Sequence, residues 1–278
     1  MAETAKLQVR FWGVRGSIAC PGTETLRYGG NTSCVEVRCG DELIIFDAGT
    51  GLRPLGVALA AEKKPVHAEI ICSHTHLDHI CGLPFFAPCY GPANSLHLWA
   101  GHLRPQTTLR HVFETMLSTP LLPDLMGAFA AKLDFTDFDA GQTISPYPDV
   151  IVKSAALNHP GGATGYRLEW NGKAMAYITD TEHRADELDA NILGLIDGVD
   201  LMIYDATFTE AEYAMHVGWG HSTWQEAVRL ADRAGVKTLA LYHHDPAHTD
   251  EVLDALSIEV TRMRPDTLFA REGLTLSL

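Results

Sequence analysis

The run Ser73-His74-Thr75-His76-Leu77-Asp78-His79 places three imidazoles and a carboxylate within six positions, directly after an apolar stretch. Neutral imidazole and carboxylate are the ligands that zinc, manganese and iron share, so the chemistry these residue types suggest is metal binding. On an extended segment His74 and His76 point to one side, and a following turn carries Asp78 and His79 to a neighbouring point. One loop could then feed two adjacent metal ions. A helical HExxH site needs its two His at i and i+4 with a Glu after the first, and this run has no such pair. Leaving this cluster at a strand end with neither pairing nor ligation would be costly.

The elements that must hold such residues can be read on either side. Five short runs rich in Val, Ile, Leu and Tyr end abruptly in polar or Gly-containing segments, as strands feeding loops do. They are Leu43 to Phe46 before Asp47, Glu69 to Cys72 before Ser73-His74, Ala174 to Ile178 before Thr179-Asp180, Leu201 to Tyr204 before Asp205, and Thr238 to Tyr242 before His243. Four of the five deliver a His or Asp suited to chemistry at the strand end, where layered α/β folds gather ligands. Between them, Ser222-x-x-Gln225 has the form of a capping box. Trp224, Ala227, Val228 and Ala231 then recur at helical spacing, with Gly235 as a stop. Further helices are expected over about Leu52 to Lys64 and Asp250 to Met263, and in the less readable stretch Leu103 to Phe138 over Thr107 to Leu117 and Asp124 to Leu133. That stretch reads as core-covering helices rather than a lid or a homodimer contact. The mixture throughout is layered α/β (α+β), with no repeat or linker dividing residues 1–278 into more than one domain.

Composition limits what such a site could serve. With 21 Lys+Arg against 35 Asp+Glu, the net charge is -14, so extended contact with a long nucleic acid or an anionic membrane is disfavoured. Met1 to Arg10 holds no apolar run of signal-peptide length, and no segment reads as a membrane span. The six cysteines, all before residue 90, form no CxxC pair and read as reduced thiols of a cytoplasmic protein.

The run at 74–79 matches the HxHxDH signature of the metallo-β-lactamase superfamily, and the chain resembles that family from about residue 9 to 245. The resemblance implies a four-layer αββα sandwich with the site at one edge. It assigns His74, His76 and His159 (in Asn158-His159-Pro160-Gly161-Gly162) to one metal ion, and Asp78, His79 and His243 to the other, with Asp180 bridging. A water or hydroxide shared between the ions completes each shell. His243 competes with His244, and the family's motif puts the ligand first. Asp47, in Phe46-Asp47-Ala48-Gly49-Thr50-Gly51, matches a feature that is usually structural. The implied cofactors are two divalent ions, zinc foremost, with manganese or iron accepted by the same donor types.

Ligands alone do not choose the bond. Tyr204-Asp205-Ala206-Thr207-Phe208 and Gly220-His221-Ser222-Thr223 resemble the paired HEAT and HST motifs of the tRNase Z-like phosphodiesterase branch. Cleavage of a phosphodiester expels an alkoxide, which benefits from a proton, whereas a thiolate leaves unaided. The resemblance thus makes a metal-bridging hydroxide the nucleophile and His221 the general acid, oriented by Asp205. Two departures stand out: Asp205 replaces the family's Glu, and only 21 residues separate His159 from Asp180, too few for the arm that grips tRNA. Those departures, with Phe11-Trp12-Gly13-Val14-Arg15-Gly16-Ser17 and Gly29-Gly30-Asn31-Thr32-Ser33-Cys34, place the chain nearer the small cyclic phosphodiesterases of the carbon-phosphorus lyase pathway and related cyclic-nucleotide hydrolases. The expected substrate is a small phosphodiester such as a cyclic nucleotide or cyclic ribose phosphate. A lactone or thioester hydrolase, or a non-catalytic sensor of a phosphoryl ligand, is the alternative. Arg15 could meet a substrate phosphate or serve as a loop salt bridge, and glycines 13, 16, 29 and 30 read as tight turns near the site.

Overall fold

The protein is described here from a computed structural model covering residues 6–184 and 187–278; Met1 to Ala5, part of the stretch read for a leader, lie outside the described residues. Strands β1 (Leu7–Gly13), β2 (Cys34–Cys39), β3 (Glu42–Phe46), β4 (His67–Cys72), β5 (Ser95–Ala100) and β6 (Lys132–Asp137) form one sheet. The second sheet holds β7 (Thr143–Tyr147), β8 (Val150–Leu157), β9 (Ala163–Trp170), β10 (Lys173–Ile178), β11 (Leu201–Asp205), β12 (Thr238–Tyr242) and β13 (Thr267–Phe269). Strand β14 (Thr275–Ser277) returns to the first sheet beside β1. The helices are α1 (Leu52–Ala61), α2 (Leu77–Ile80), α3 (Leu109–Met116), α4 (Ala190–Ile196), α5 (Glu210–Tyr213), α6 (Trp224–Arg233) and α7 (Asp250–Met263).

Strands β3, β4 and β5 run parallel, as do β10, β11 and β12, and both faces of these strands are covered. That is why they read as unbroken apolar runs rather than alternating ones. In β3, Ile44 and Phe46 enter the core between the sheets, where they meet Tyr166, Tyr177, Ile203 and Tyr242 from the other side. Ile45 faces outward to Leu52, Leu55 and Leu59 of α1 and to Leu109 and Phe113 of α3. On the opposite flank Ala176, Met202 and Leu239 pack under Ile192, Trp224, Ala227 and Leu253. The order helix, sheet, sheet, helix is the expected αββα sandwich, a four-layer α/β fold.

Two local expectations are corrected. The cap of α6 is Thr223, whose hydroxyl accepts from the Glu226 N–H, not Ser222. The Ser222 hydroxyl instead meets His183 Nδ1 at 2.8 Å and Tyr204 at 3.2 Å. The span 124–133 forms no α-helix: it holds a 3-10 turn at Met126–Ala128 and runs into β6. There Lys132 pairs with Ser95 and Leu133 with Leu96, so an open sheet edge overrode local helical propensity. Thr107 to Leu117 does form α3, capped by Thr108 and burying Leu109 and Phe113.

Candidate metal centre

Each sheet sends its site residues out at the same edge, and the backbone there is unusual. Asp47 after β3, Asp180 after β10 and His243 after β12 all adopt left-handed φ values, of 61°, 57° and 60°. A non-glycine residue pays for that conformation, which here turns each side chain back across the strand ends. From the first sheet, β4 runs into Ser73-His74, and His76 then precedes the single turn of α2, which carries Asp78 and His79. From the second, β8 leads to His159 and β11 ends on Asp205.

The side chains converge in the sets anticipated. One donor atom each from His74, His76 and His159 lie within 4.8 Å of one another, as do those from Asp78, His79 and His243. Asp180 lies between them. Its Oδ1 is 3.8 Å from His74 Nε2 and 3.9 Å from His159 Nε2, while Oδ2 is 3.2 Å from both His79 Nε2 and His243 Nε2.

The surrounding hydrogen bonds set which nitrogen of the His79, His159, His74 and His243 rings faces inward, while His76 turns its Nδ1 to His159 Nε2 at 3.1 Å. His79 Nδ1 donates to Asp47 Oδ2 at 2.8 Å, His159 Nδ1 to the Gly220 carbonyl at 2.8 Å, and His74 Nδ1 to Ser73 Oγ at 3.1 Å. Thr207 Oγ1 accepts from His243 Nδ1 at 3.1 Å and itself donates to Asp205 Oδ1 at 2.7 Å. Each Nε2 therefore turns an unshared pair toward the interior, the arrangement metal sites use to orient imidazole ligands. His74 Nε2 is buried without a partner, and the Nε2 atoms of His79 and His243 face each other at 3.3 Å. Only a proton or a cation between those two pairs relieves their repulsion. These residues fit divalent ions.

The electrostatics agree. Burial disfavours a charged His79, but Asp78, Asp180 and Asp47 outweigh it and hold its pKa well above the ordinary value. Without an ion, the site takes up a proton instead. Burial, with neighbouring imidazoles, keeps His74 well below its usual pKa, and burial lowers His159, so both stand in the neutral form that binds metal.

His221 stands beside this cluster, its ring 5.0 Å from that of His243 and 5.5 Å from that of His159. Its Nδ1 donates to Asp205 Oδ2 at 3.0 Å, so the aspartate, though shorter than the family's Glu, reaches the ring directly. Burial opposes the charged ring, yet the Asp205 carboxylate overcomes it and raises the His221 pKa to about 9. Asp205 thus holds His221 directly and His243 through Thr207.

Several supporting residues come from the structure rather than from sequence reasoning. The Ser17 N–H donates to Asp78 Oδ2 at 2.7 Å, and Glu182 binds the N–H groups of Gly218 and Gly220. Gly16 lies so close to His243 that a Cβ there would fall 2.4 Å from Nδ1, and one on Gly220 would fall 2.3 Å from His159 Nδ1. Arg15 does not face the site: wholly buried, it donates to the carbonyls of Gly29, Asp245 and His248. His244 also turns away, onto the Ala270 carbonyl at 2.7 Å between Tyr28 and Phe269, and burial lowers its pKa to about 3. It is neither a surface residue nor a partner of the cluster.

The comparisons with known proteins accord with this geometry. A family model described as the Beta-lactamase superfamily domain matches residues 43–244. A ribonuclease Z of Bacteroides fragilis (strain ATCC 25285) is 26% identical, the alignment covering 91% of this chain and 95% of the relative. Among solved structures, a diphosphatase from the PhnP family superposes with a TM-score of 0.69 at 19% identity, covering 98% of this chain and 97% of its own. Zn(2+)-bound PqqB from Methylobacterium extorquens gives 0.73 at 15% identity, covering 98% and 100%. With the matching span running from β3 through the strand-end histidines, the chain belongs to the beta-lactamase superfamily and is a hydrolase of the metallo-β-lactamase fold.

Proposed function

We propose that the protein is a dinuclear metal-dependent phosphodiesterase acting on a small phosphodiester such as a cyclic nucleotide or cyclic ribose phosphate, with residues 1–278 as one catalytic domain. The observation that carries this reading is the buried His221–Asp205 pair, 3.0 Å apart beside the two ligand sets. His74, His76 and His159 would hold one ion, and Asp78, His79 and His243 the other, with Asp180 shared. Two such ions, zinc foremost, supply Lewis-acid charge and activate a water as nucleophile.

The remaining work falls to the chain. Asp205 accepts from His221 Nδ1, which leaves Nε2–H free to face the substrate. Phosphorus gains the oxygen of a water that gives up one proton to solvent, its bond to the departing oxygen breaks, and His221 passes its Nε2 proton to that oxygen. The relatives named ribonuclease Z and diphosphatase support phosphoryl chemistry. A small substrate is supported by the charge of -14 and by the interval from His159 to Asp180, which the hairpin β9–β10 fills by turning at Asn171-Gly172. Six free thiols suit a cytoplasmic setting.

The test is turnover by the metal-loaded protein. Hydrolysis of bis(p-nitrophenyl) phosphate with no action on thioesters or lactones is expected. The opposite pattern would overturn the reading.

A further inference from the structure

The loop that leads from α5 to His221 exposes apolar side chains. Met215, Val217 and Trp219 are 77%, 63% and 62% exposed. Only Gly220 separates Trp219 from His221, so their Cα atoms lie within about 7 Å. The link is also a stack of rings. Phe208 meets His221 edge-on at 6.1 Å, His216 stacks on Phe208 at 4.4 Å, and Trp219 stands against His216 at 4.8 Å.

This loop is held in place. The Glu182 carboxylate accepts from the N–H of Gly218 at 2.9 Å and of Gly220 at 2.8 Å, and Glu182 follows Asp180 by two residues. His216 Nδ1 donates to the Glu212 carbonyl, the Trp219 N–H donates to the His216 carbonyl, and the Gly220 carbonyl accepts from His159. The indole is largely exposed, and the ring it meets is that of His216. It offers a planar face on a tethered loop, two residues along the chain from the group that protonates the leaving alcohol.

We infer that Trp219 is a specificity-determining residue whose indole stacks on the base of a nucleoside carried by the departing oxygen, and that the substrate class is therefore a cyclic nucleotide rather than a base-free cyclic sugar phosphate. The inference rests on the phosphodiesterase reading and narrows it. Because His221 gives its proton to the leaving oxygen, whatever that oxygen carries lies on the His221 side of the site, where the stacked rings end in Trp219. One indole suffices for one base.

The experiment compares adenosine 2′,3′-cyclic phosphate with methyl riboside 2,3-cyclic phosphate, which share the scissile bond and differ in the base. The wild-type protein should prefer the adenosine substrate, and Trp219→Ala should shrink that preference about tenfold, mainly through KM, with Trp219→Phe retaining most of it. No preference in the wild type, or the same ratio in Trp219→Ala, overturns the inference. A second arm needs no turnover: equilibrium binding of adenosine 5′-monophosphate against ribose 5-phosphate, wild type against Trp219→Ala. An unchanged binding ratio overturns the stacking role. Failure of both cyclic phosphates to turn over while the binding ratio still depends on Trp219 would instead count against the phosphodiesterase chemistry.

Discussion

His221 titrates where its neighbours put it, and that position can be tested. Asp205 raises its pKa to about 9, while divalent ions nearby would push the other way, so the protonated acid is lost as pH rises to about 9 or somewhat below. The kcat profile for a substrate with a poor leaving group should therefore fall on the alkaline side, and Asp205→Asn should move that limb to lower pH. His221→Ala should cost about 10²–10⁴-fold in kcat on an alkyl phosphodiester and far less on bis(p-nitrophenyl) phosphate, whose nitrophenolate leaves without a proton. Equal losses on both would remove the proton-donor role. Arg15 calls for the converse experiment. Its guanidinium holds three carbonyls in the core, so Arg15→Ala should cost about 3 kcal/mol, lowering the thermal midpoint by roughly 6–12 °C. A raised KM with an unmoved midpoint would show a phosphate contact instead. The ligand types were legible because His and Asp are rarely clustered without a purpose. Thr207, Glu182 and the Ser17 N–H were not, since each acts through a partner that only folding brings near.

At the scale of elements, the strand ends do the positioning, and they do it against backbone preference. Asp47, Asp180 and His243 are all left-handed, and glycine stands at 16 and 220, where a Cβ would intrude on the His243 and His159 rings. Gly16→Ala would place a Cβ 2.4 Å from His243 Nδ1. That variant should lose about one of two bound ions by elemental analysis and most of its activity, whereas Gly22→Ala, with nothing within 4 Å of its Cβ, should retain both. Full metal content in Gly16→Ala would show that His243 is not held where it must be to bind. The five strands behind the site could be read in advance because parallel strands covered on both faces are apolar throughout. Strand β6 could not: it lies at a sheet edge, with Leu133 and Phe135 only partly buried, and its pairing with β5 is a long-range choice that no local pattern encodes. The layered α/β class was accessible because helical periodicity and strand runs alternate along the chain, whereas the αββα order came from the family resemblance, and the Ser222 cap was misplaced by one residue because adjacent Ser222 and Thr223 offer the same hydroxyl.

Across the whole molecule, charge and ligation pull in opposite senses. A chain of net charge -14 repels polyanions, yet the cluster concentrates carboxylates around histidines whose free nitrogens face inward, a field that favours cations. The first sheet supplies His74, His76, Asp78 and His79, and the second supplies His159, Asp180 and His243. Ions bound there would join the edges of two layers that otherwise meet through the apolar core between them. Binding that favours the folded state stabilises by about 2.7 kcal/mol per site when the free ion is at 100 times its Kd. In a chain of this size each kcal/mol moves the midpoint by about 2–4 °C. Dialysis against a chelator should therefore lower the calorimetric midpoint by about 5–10 °C for one site and more for two, and zinc should restore it. His221→Ala should keep the full response, because the His221 nitrogen nearest Asp180 is taken by Asp205 at 3.0 Å, whereas Asp180→Asn should lose much of it, because both sets share that carboxylate. A midpoint indifferent both to chelator and to added zinc would mean that the two sheets are held by their core alone and that the convergence of seven ligand-type residues serves something other than metal.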